Sequence, residues 1–544
     1  MGAARGARLP DAAAPRLGLR PAGRAQRARL RRAGLGGGGV STGLDAAPGI
    51  VAVAVVTIAT LVIGTWGLRF SRTTSDFFVA SRTVRPRLNA SAIGGEYLSA
   101  ASFLGVAGLV LTFGADMLWY PVGWTAGYLV LLVLVAAPLR RSGAYTLPDF
   151  AEARLGSRSV RAVCSLLVVA VGWLYLLPQF QGAGITLRST LGAPTWVGPV
   201  IVGLVVLANV TSGGMRSITF VQAFQYWLKL TALLVPGAVL LVVWAGDSAP
   251  LRAGSDGWSV PLAAGGNQGL YVTYSLIIAT FLGTMGLPHV VVRFYTNPDG
   301  RAARRTTLVV LALLGVFYLL PPLYGALGRV YAPSLAESGR SDALVLELPR
   351  IMLDGPAGEV LTGLVTAGAF AAFLSTSSGL SIAVSGVLSQ DVTGRPWAGR
   401  RLGGVAAFRV GAVVAVTVPC VVALAAPNLG VARAVGLAFA MAASTFCPLL
   451  LLGIWWRRLT PAGALAGLLA GGVGSGVAIA WTLATSRPSG WADALMGQPA
   501  AWTFPLALTT MVVVSLATAH RIPTHAGRFL VRLHTPETLG LDRS

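Results

Sequence analysis

Apolar residues run through this chain in long blocks separated by short, arginine-bearing polar turns. A helix needs about 20 consecutive apolar residues to cross the hydrocarbon of a bilayer. Thirteen blocks reach or approach that length, at about 48–68, 88–113, 117–139, 162–187, 195–211, 218–245, 270–290, 306–328, 358–389, 409–426, 432–456, 460–485 and 502–519. The pattern predicts an all-α integral membrane protein of about thirteen transmembrane helices filling residues 46–519. Before it stands a basic leader, 1–45, with almost no large apolar residues and therefore no core to bury. Behind it a short tail, 520–544, remains.

Composition agrees with the periodicity. The 544 residues are 54% hydrophobic and 11% charged, with mean hydropathy +0.70, whereas soluble domains carry about 25% charged residues. The net charge of +23 invites a nucleic-acid reading. However, nine arginines lie in residues 1–32 and most others sit in short turns between spans, with no basic face carrying interleaved aromatics. Nucleic acid is therefore not an expected partner, and no segment calls for a protein partner either. Cys164, Cys420 and Cys447 all lie in apolar runs without metal or redox spacing.

Alternate turns separate by charge. One set holds 25 arginines, from Arg69 through the Arg140–Arg161 group and Arg293–Arg305 to the tail, and the other holds seven. The positive-inside rule puts the richer set in the cytoplasm. The N-terminus of the membrane domain is then outside, the C-terminus inside, and the cytoplasmic membrane is the expected location. The basic leader would lie outside, against the same rule. It reads either as a genuine tail or as an upstream translation start, and the topology favours the second.

An enzyme is not expected. The four histidines, His289, His520, His525 and His534, form no metal or catalytic spacing, and no nucleophile elbow or phosphate loop is visible.

Three stretches do carry chemistry. The second span holds Gly94, Gly95 and Glu96 mid-run. A mid-helix glycine costs about 1 kcal/mol relative to alanine, and a charge at the bilayer centre costs about 2.5–3.5 kcal/mol on insertion scales. These residues predict a broken helix whose freed carbonyls line a site; the alternative is a glycine seam for close packing. In the ninth span, Ala372, Ser375 and Thr376 stand at i, i+3 and i+4 and share a face. Their oxygens suit a hard cation, although such hydroxyls also bond back to their own helix. The seventh span carries Gly283, Gly286 and Pro288, a second candidate break. Two interrupted spans five apart fit paired five-helix repeats of inverted topology, over spans two to six and seven to eleven.

The words Ser75-Asp76-Phe77-Phe78-Val79-Ala80-Ser81-Arg82, Glu96-Tyr97-Leu98-Ser99-Ala100-Ala101-Ser102-Phe103-Leu104-Gly105 and Gly213-Gly214-Met215-Arg216-Ser217 are specific in combination. So are Gly286-Leu287-Pro288-His289 with Arg293-Phe294-Tyr295-Thr296, Leu374-Ser375-Thr376, and the run from Gly436 to Ser444. Through them the chain resembles the sodium/solute symporter family, and within it the cation/acetate (monocarboxylate) symporters, from about Ser75 to Trp456. The resemblance implies the thirteen-span inverted-repeat transporter fold with discontinuous helices, and Na+ as coupling ion. It implies a sodium site made by the backbone carbonyls of Gly95, Leu98 and Ala372 and the hydroxyls of Ser375 and Thr376. Acetate-type relatives carry aspartate where this chain has Glu96, so ion or proton coupling through that carboxylate is an expectation one methylene removed from the pattern. Sugar carriers place an aromatic gate where Gly283 stands, which favours a small solute.

The expected function is Na+-coupled symport of a short monocarboxylate of the acetate, propionate or pyruvate type. Tyr97, Ser99, Ser102, Thr280 and Thr284 are the expected substrate neighbours, from polarity and position. Proton coupling through Glu96, another small solute such as an amino acid, and a transporter-like sensor are the alternatives. The sensor lacks room for an output domain after the last span. No arginine is placed at the depth of the site.

Overall fold

The structure is a computed structural model that describes residues 47–67, 69, 79–249, 265–393, 404–425, 430–485 and 490–537. The leader at 1–45 lies outside the described residues. Among those described, every regular element is helical. Lipid offers no hydrogen-bond partners, so a spanning segment must satisfy its backbone internally, and runs of Ala, Val and Leu do so as helices.

In chain order the main helices are α1 (Ala47–Gly67), α2 (Pro86–Tyr97), α3 (Ala101–Phe113), α4 (Ala115–Arg141), α5 (Leu147–Leu155), α6 (Arg158–Leu191) and α7 (Val197–Gly246). There follow α8 (Gly266–Gly286), α9 (Pro288–Val292), α10 (Gly300–Phe317), α11 (Leu320–Tyr331), α12 (Leu344–Met352) and α13 (Pro356–Leu388). The series closes with α14 (Gly404–Ala425), α15 (Val431–Trp455), α16 (Pro461–Ala484), α17 (Ala500–Ala517) and α18 (Ala526–His534).

Among the described residues, eleven helices are long and apolar enough to cross a membrane, and the bent pair α2–α3 makes a twelfth span. The thirteenth is concealed in α7. This 50-residue helix turns at Gly214, where φ is 56° and ψ is −157°, a backbone region that is essentially glycine-only. Its two limbs match the blocks at 195–211 and 218–245.

The short helix α5 joins two spans and is capped at both ends. Thr146 and Asp149 close a reciprocal capping box at the start of α5. Gly156, at φ 64°, ends α5, and Ser157 at once caps α6. On this arginine-rich face Arg161 pairs with Asp149 at 2.9 Å, Glu152 at 2.6 Å and Asp391 at 2.6 Å. The buried Arg154 donates to the Gly453 and Trp456 carbonyls at the end of α15. These arginines are structural ties as well as topology signals.

Helix α13 is the hub. It packs on α7, α6, α1 and α2, and nearly every residue from Thr362 to Val387 is buried. At the periphery, α1, the second limb of α7, and α14 turn large apolar side chains outward, among them Ile58, Trp227, Val242 and Val421.

Candidate functional site

The second span breaks, but not at its glycines. Gly94 and Gly95 remain helical, and the chain leaves the helix at Leu98 and Ser99 before resuming as a π-helical turn at Ala101–Gly105. The two limbs are bent by 69°. The expected break at Gly94 and Gly95 is thus corrected by three or four residues. The glycines serve contact instead: a Cβ on Gly95 would overlap the backbone carbonyl of Gln222 on α7, and one on Gly94 would meet the Tyr226 ring at 2.8 Å. In the seventh span the break falls at Leu287, extended at φ −71° and ψ 118°, between Gly286 and Pro288. Gly283 stays inside α8, where a Cβ would overlap the Phe439 carbonyl of α15.

The break exposes carbonyls toward the hydroxyl face of α13. Gly95, Leu98 and Ser375 meet at one point, and the atom at that point is Nζ of Lys229 from α7. It donates to the Gly95 carbonyl, to the Leu98 carbonyl at 2.7 Å and to Ser375 Oγ at 2.8 Å. Ser375 Oγ in turn donates to the Ala372 carbonyl at 3.1 Å, and Thr376 Oγ1 donates to the Glu96 carbonyl at 2.6 Å. All five expected ligand positions therefore belong to one cluster, and three of them hold the ammonium.

Beside this cluster Glu96 is fully buried and pairs with Arg293 Nε at 2.5 Å. Arg293 also donates to Thr219 Oγ1 at 3.0 Å and to Gln222 Oε1. Gln222 Nε2 returns to the Ser375 carbonyl at 2.8 Å. The sequence places Arg293 among the polar turns; it lies instead in a buried 3-10 turn, Arg293–Thr296, directly after α9. The expectation of no arginine at site depth is corrected accordingly. Glu96 also presses on Gly379 of α13, where any Cβ would overlap its carboxyl group.

Next to the break is a packed aromatic cluster. Tyr97 meets Tyr128 edge-on at 4.7 Å, and Phe439 has Tyr97, Trp124 and Tyr175 around it at 6.3, 5.6 and 5.9 Å. The Tyr97 and Thr284 hydroxyls are 2.8 Å apart, those of Ser102 and Tyr318 2.9 Å, and Tyr175 donates to Ser99 Oγ at 3.2 Å. Thr280 is bonded to its own helix at Leu276. Among the described residues, Trp124 Nε1 and Tyr128 OH are buried without a partner, as are both ring nitrogens of His289. His289 stands edge-on to Tyr175 at 5.4 Å, so an aromatic and hydroxyl path links the α2–α3 break with the α8–α9 break. No group of three or more His, Cys, Asp or Glu suited to a metal ion occurs among the described residues.

Trp124, Tyr128, Tyr318, Arg293 and Lys229 escaped the sequence reading. For Lys229 a signal existed. It is the only lysine in a chain whose 42 basic residues are otherwise all arginine.

The family model of the sodium:solute symporter family matches residues 77–471. A monocarboxylic acid transporter of Corynebacterium glutamicum is 32% identical over 505 residues, covering 86% of this chain and 90% of that protein. An uncharacterised symporter of Bacillus subtilis, YwcA, is 31% identical over 449 residues, covering 79% and 85%. A solved structure of a Na+-coupled sialic acid symporter, substrate-bound and outward-open, superposes with a TM-score of 0.67 at 16% identity. It covers 87% of this chain and 98% of that one.

Proposed function

The chain belongs to the sodium:solute symporter family, and on that premise we propose that it is a secondary active carrier of a short monocarboxylate in the acetate, propionate or pyruvate range. The observation that carries the reading is the aromatic cluster with two unpartnered donors, Trp124 Nε1 and Tyr128 OH, beside the α2–α3 break. A carboxylate accepts hydrogen bonds and donates none, so two unpartnered N–H and O–H groups suit its oxygens. The surrounding rings suit a short apolar tail. The relative named as a monocarboxylic acid transporter supports the same class.

Tyr97, Ser99, Ser102 and Thr284 hydrogen-bond within or onto this cluster and are the proposed substrate neighbours, and Thr280 lies one turn behind Thr284. The coupling ion enters through the adjoining cluster of Gly95, Leu98, Ala372, Ser375 and Thr376, as Na+ by family resemblance or as a proton. The arginine-rich face is proposed to be cytoplasmic. Transport is the activity of its relatives, and the proposed partners are the solute and the bilayer.

Uptake of labelled acetate into proteoliposomes, challenged with unlabelled monocarboxylates, amino acids and sugars, tests the substrate class. Competition by monocarboxylates alone is expected; competition by amino acids or sugars alone overturns it. Tyr128→Phe removes one donor to a charged group, worth about 1.5–3 kcal/mol. It is expected to raise the half-saturating acetate concentration roughly tenfold or more, while the thermal midpoint stays near that of the parent.

A further inference from the structure

The last helix carries exposed charge that the transport site does not use. We propose that the flank of α18 facing the end of α15 is a binding surface for the headgroup of an anionic phospholipid. The proposal goes beyond the carrier reading and depends on neither the solute nor the coupling ion.

Helix α18 is amphipathic. Ala526 and Leu533 are buried, and Phe529 stands 6.1 Å from Phe150 of α5. Arg528 and Val531, three residues apart, share the opposite, exposed face. The helix packs against the last turns of α4, against α5 and against α15. Since α4 and α15 are spans, α18 is held where spans end, at the level of the membrane surface.

Its flank toward α15 is mixed in character. Gly527, Val531 and His534 stand at i, i+4 and i+7 along it. A Cβ at Gly527 would lie 3.6 Å from the Arg457 guanidinium, and the His534 ring stacks on Trp455 at 4.7 Å. Trp455 is fixed from behind, where its Nε1 donates to the Leu134 carbonyl at 3.1 Å. Even so, Trp455 and Val531 remain 50% and 58% exposed. Cationic and large apolar groups therefore adjoin on one open surface.

The charge there has no acid to answer it. Arg457, Arg458 and Arg528 are exposed, and among the described residues none of them has a carboxylate within ion-pair distance. The far end of the helix is different. There Arg141 pairs with Glu537 at 3.3 Å, Arg532 donates to the Arg141 carbonyl at 3.2 Å, and Glu537 accepts the Gly300 N–H at 2.9 Å.

This combination selects the ligand. A guanidinium presents a planar fork that matches phosphate oxygens. A free phosphate would meet the arginines but leave Trp455 and Val531 in water. A phospholipid uses both, with its phosphate on the arginines and its glycerol and upper acyl carbons along the apolar side chains. Tryptophan is at home at headgroup level, and basic clusters on amphipathic helices beside a span attract anionic lipid. A zwitterionic headgroup fits less well, because its ammonium group would meet the same arginines.

Thermal unfolding of the full-length protein in dodecyl maltoside tests this. Dioleoylphosphatidylglycerol, dioleoylphosphatidylcholine or inorganic phosphate is added at matched ionic strength. A rise of the midpoint with phosphatidylglycerol is expected, with little response to the other two. An equal rise with phosphatidylcholine overturns the proposal; so does an equal rise with inorganic phosphate, which would mark a site for a soluble anion. With Arg457→Gln, Arg458→Gln and Arg528→Gln combined, the half-maximal rise is expected to need roughly a hundredfold more phosphatidylglycerol. Equal charge removed from α10, by Arg301→Gln, Arg304→Gln and Arg305→Gln, is expected to leave the parent's response. If the two triple variants respond alike, the attraction belongs to net charge and the proposal falls. Should the first triple variant fail to fold, Arg528→Gln alone is expected to need about fivefold more lipid, and an unchanged response overturns the proposal. The readout needs no transport, so its failure leaves the carrier reading untouched.

Discussion

Arg293→Ala is expected to destabilise the folded protein by about 3–5 kcal/mol, because it leaves the Glu96 carboxylate buried and unpaired. The pair is 2.5 Å long and both side chains are almost wholly enclosed. Two further hydrogen bonds of Arg293, to Thr219 and Gln222, disappear with it. Adding Glu96→Ala to Arg293→Ala removes the orphan charge, so the double variant is expected to unfold at a higher temperature than the single one. Melting curves of parent, single and double variants in detergent make the comparison. If single and double variants melt together, the unpaired charge is not the source of the loss. Such coupling between contacting residues is what a double-mutant cycle isolates.

The second large effect concerns geometry alone. Gly95→Val is expected to abolish uptake while Gly94→Ala only weakens it. At Gly95 a Cβ would overlap the Gln222 backbone, which cannot move aside without displacing α7. At Gly94 the neighbour is the Tyr226 ring, at 2.8 Å, a side chain with some freedom to give. Overpacking of a close interface costs about 1–3 kcal/mol. The larger consequence is positional: separating α2 from α7 also separates the Gly95 carbonyl from Lys229. Labelled-acetate uptake normalised to protein in the proteoliposomes checks both. Equal activity of the two variants would show that close approach of α2 and α7 is not required.

Much of the fold was legible because the bilayer imposes a length and a polarity on each span, and both are written locally in the residues. Among the described residues the twelve candidate spans become thirteen when α7 is divided at Gly214. The pairing of the second span with the Ser375 face was legible too, through polar residues at depths where lipid would reject them. The exact break was not. Leu98 and Ser99 carry no breaking signal of their own, whereas the adjacent glycines do, and those glycines turned out to permit helix contact.

Lys229 and Arg293 were missed for one physical reason. Their partners lie more than seventy residues away along the chain, at Gly95, Leu98 and Ser375 for one and at Glu96, Thr219 and Gln222 for the other. A single charge in a 28-residue apolar run passes as tolerable, and an arginine beside a basic turn is assigned to that turn. Depth in the fold is a tertiary property that a loop count does not see. The unpartnered donors Trp124 and Tyr128 were hidden likewise, as ordinary aromatics of an apolar span.

The single lysine has a practical consequence. Amine-directed acylating reagents attack neutral primary amines, and in this chain they have one side chain to find besides the terminal amine. Lys229 lies sealed beneath α2 and α13. The appearance of its acyl adduct over time therefore clocks how often the carrier opens that seal, with peptide mass as the readout and no reporter group to engineer.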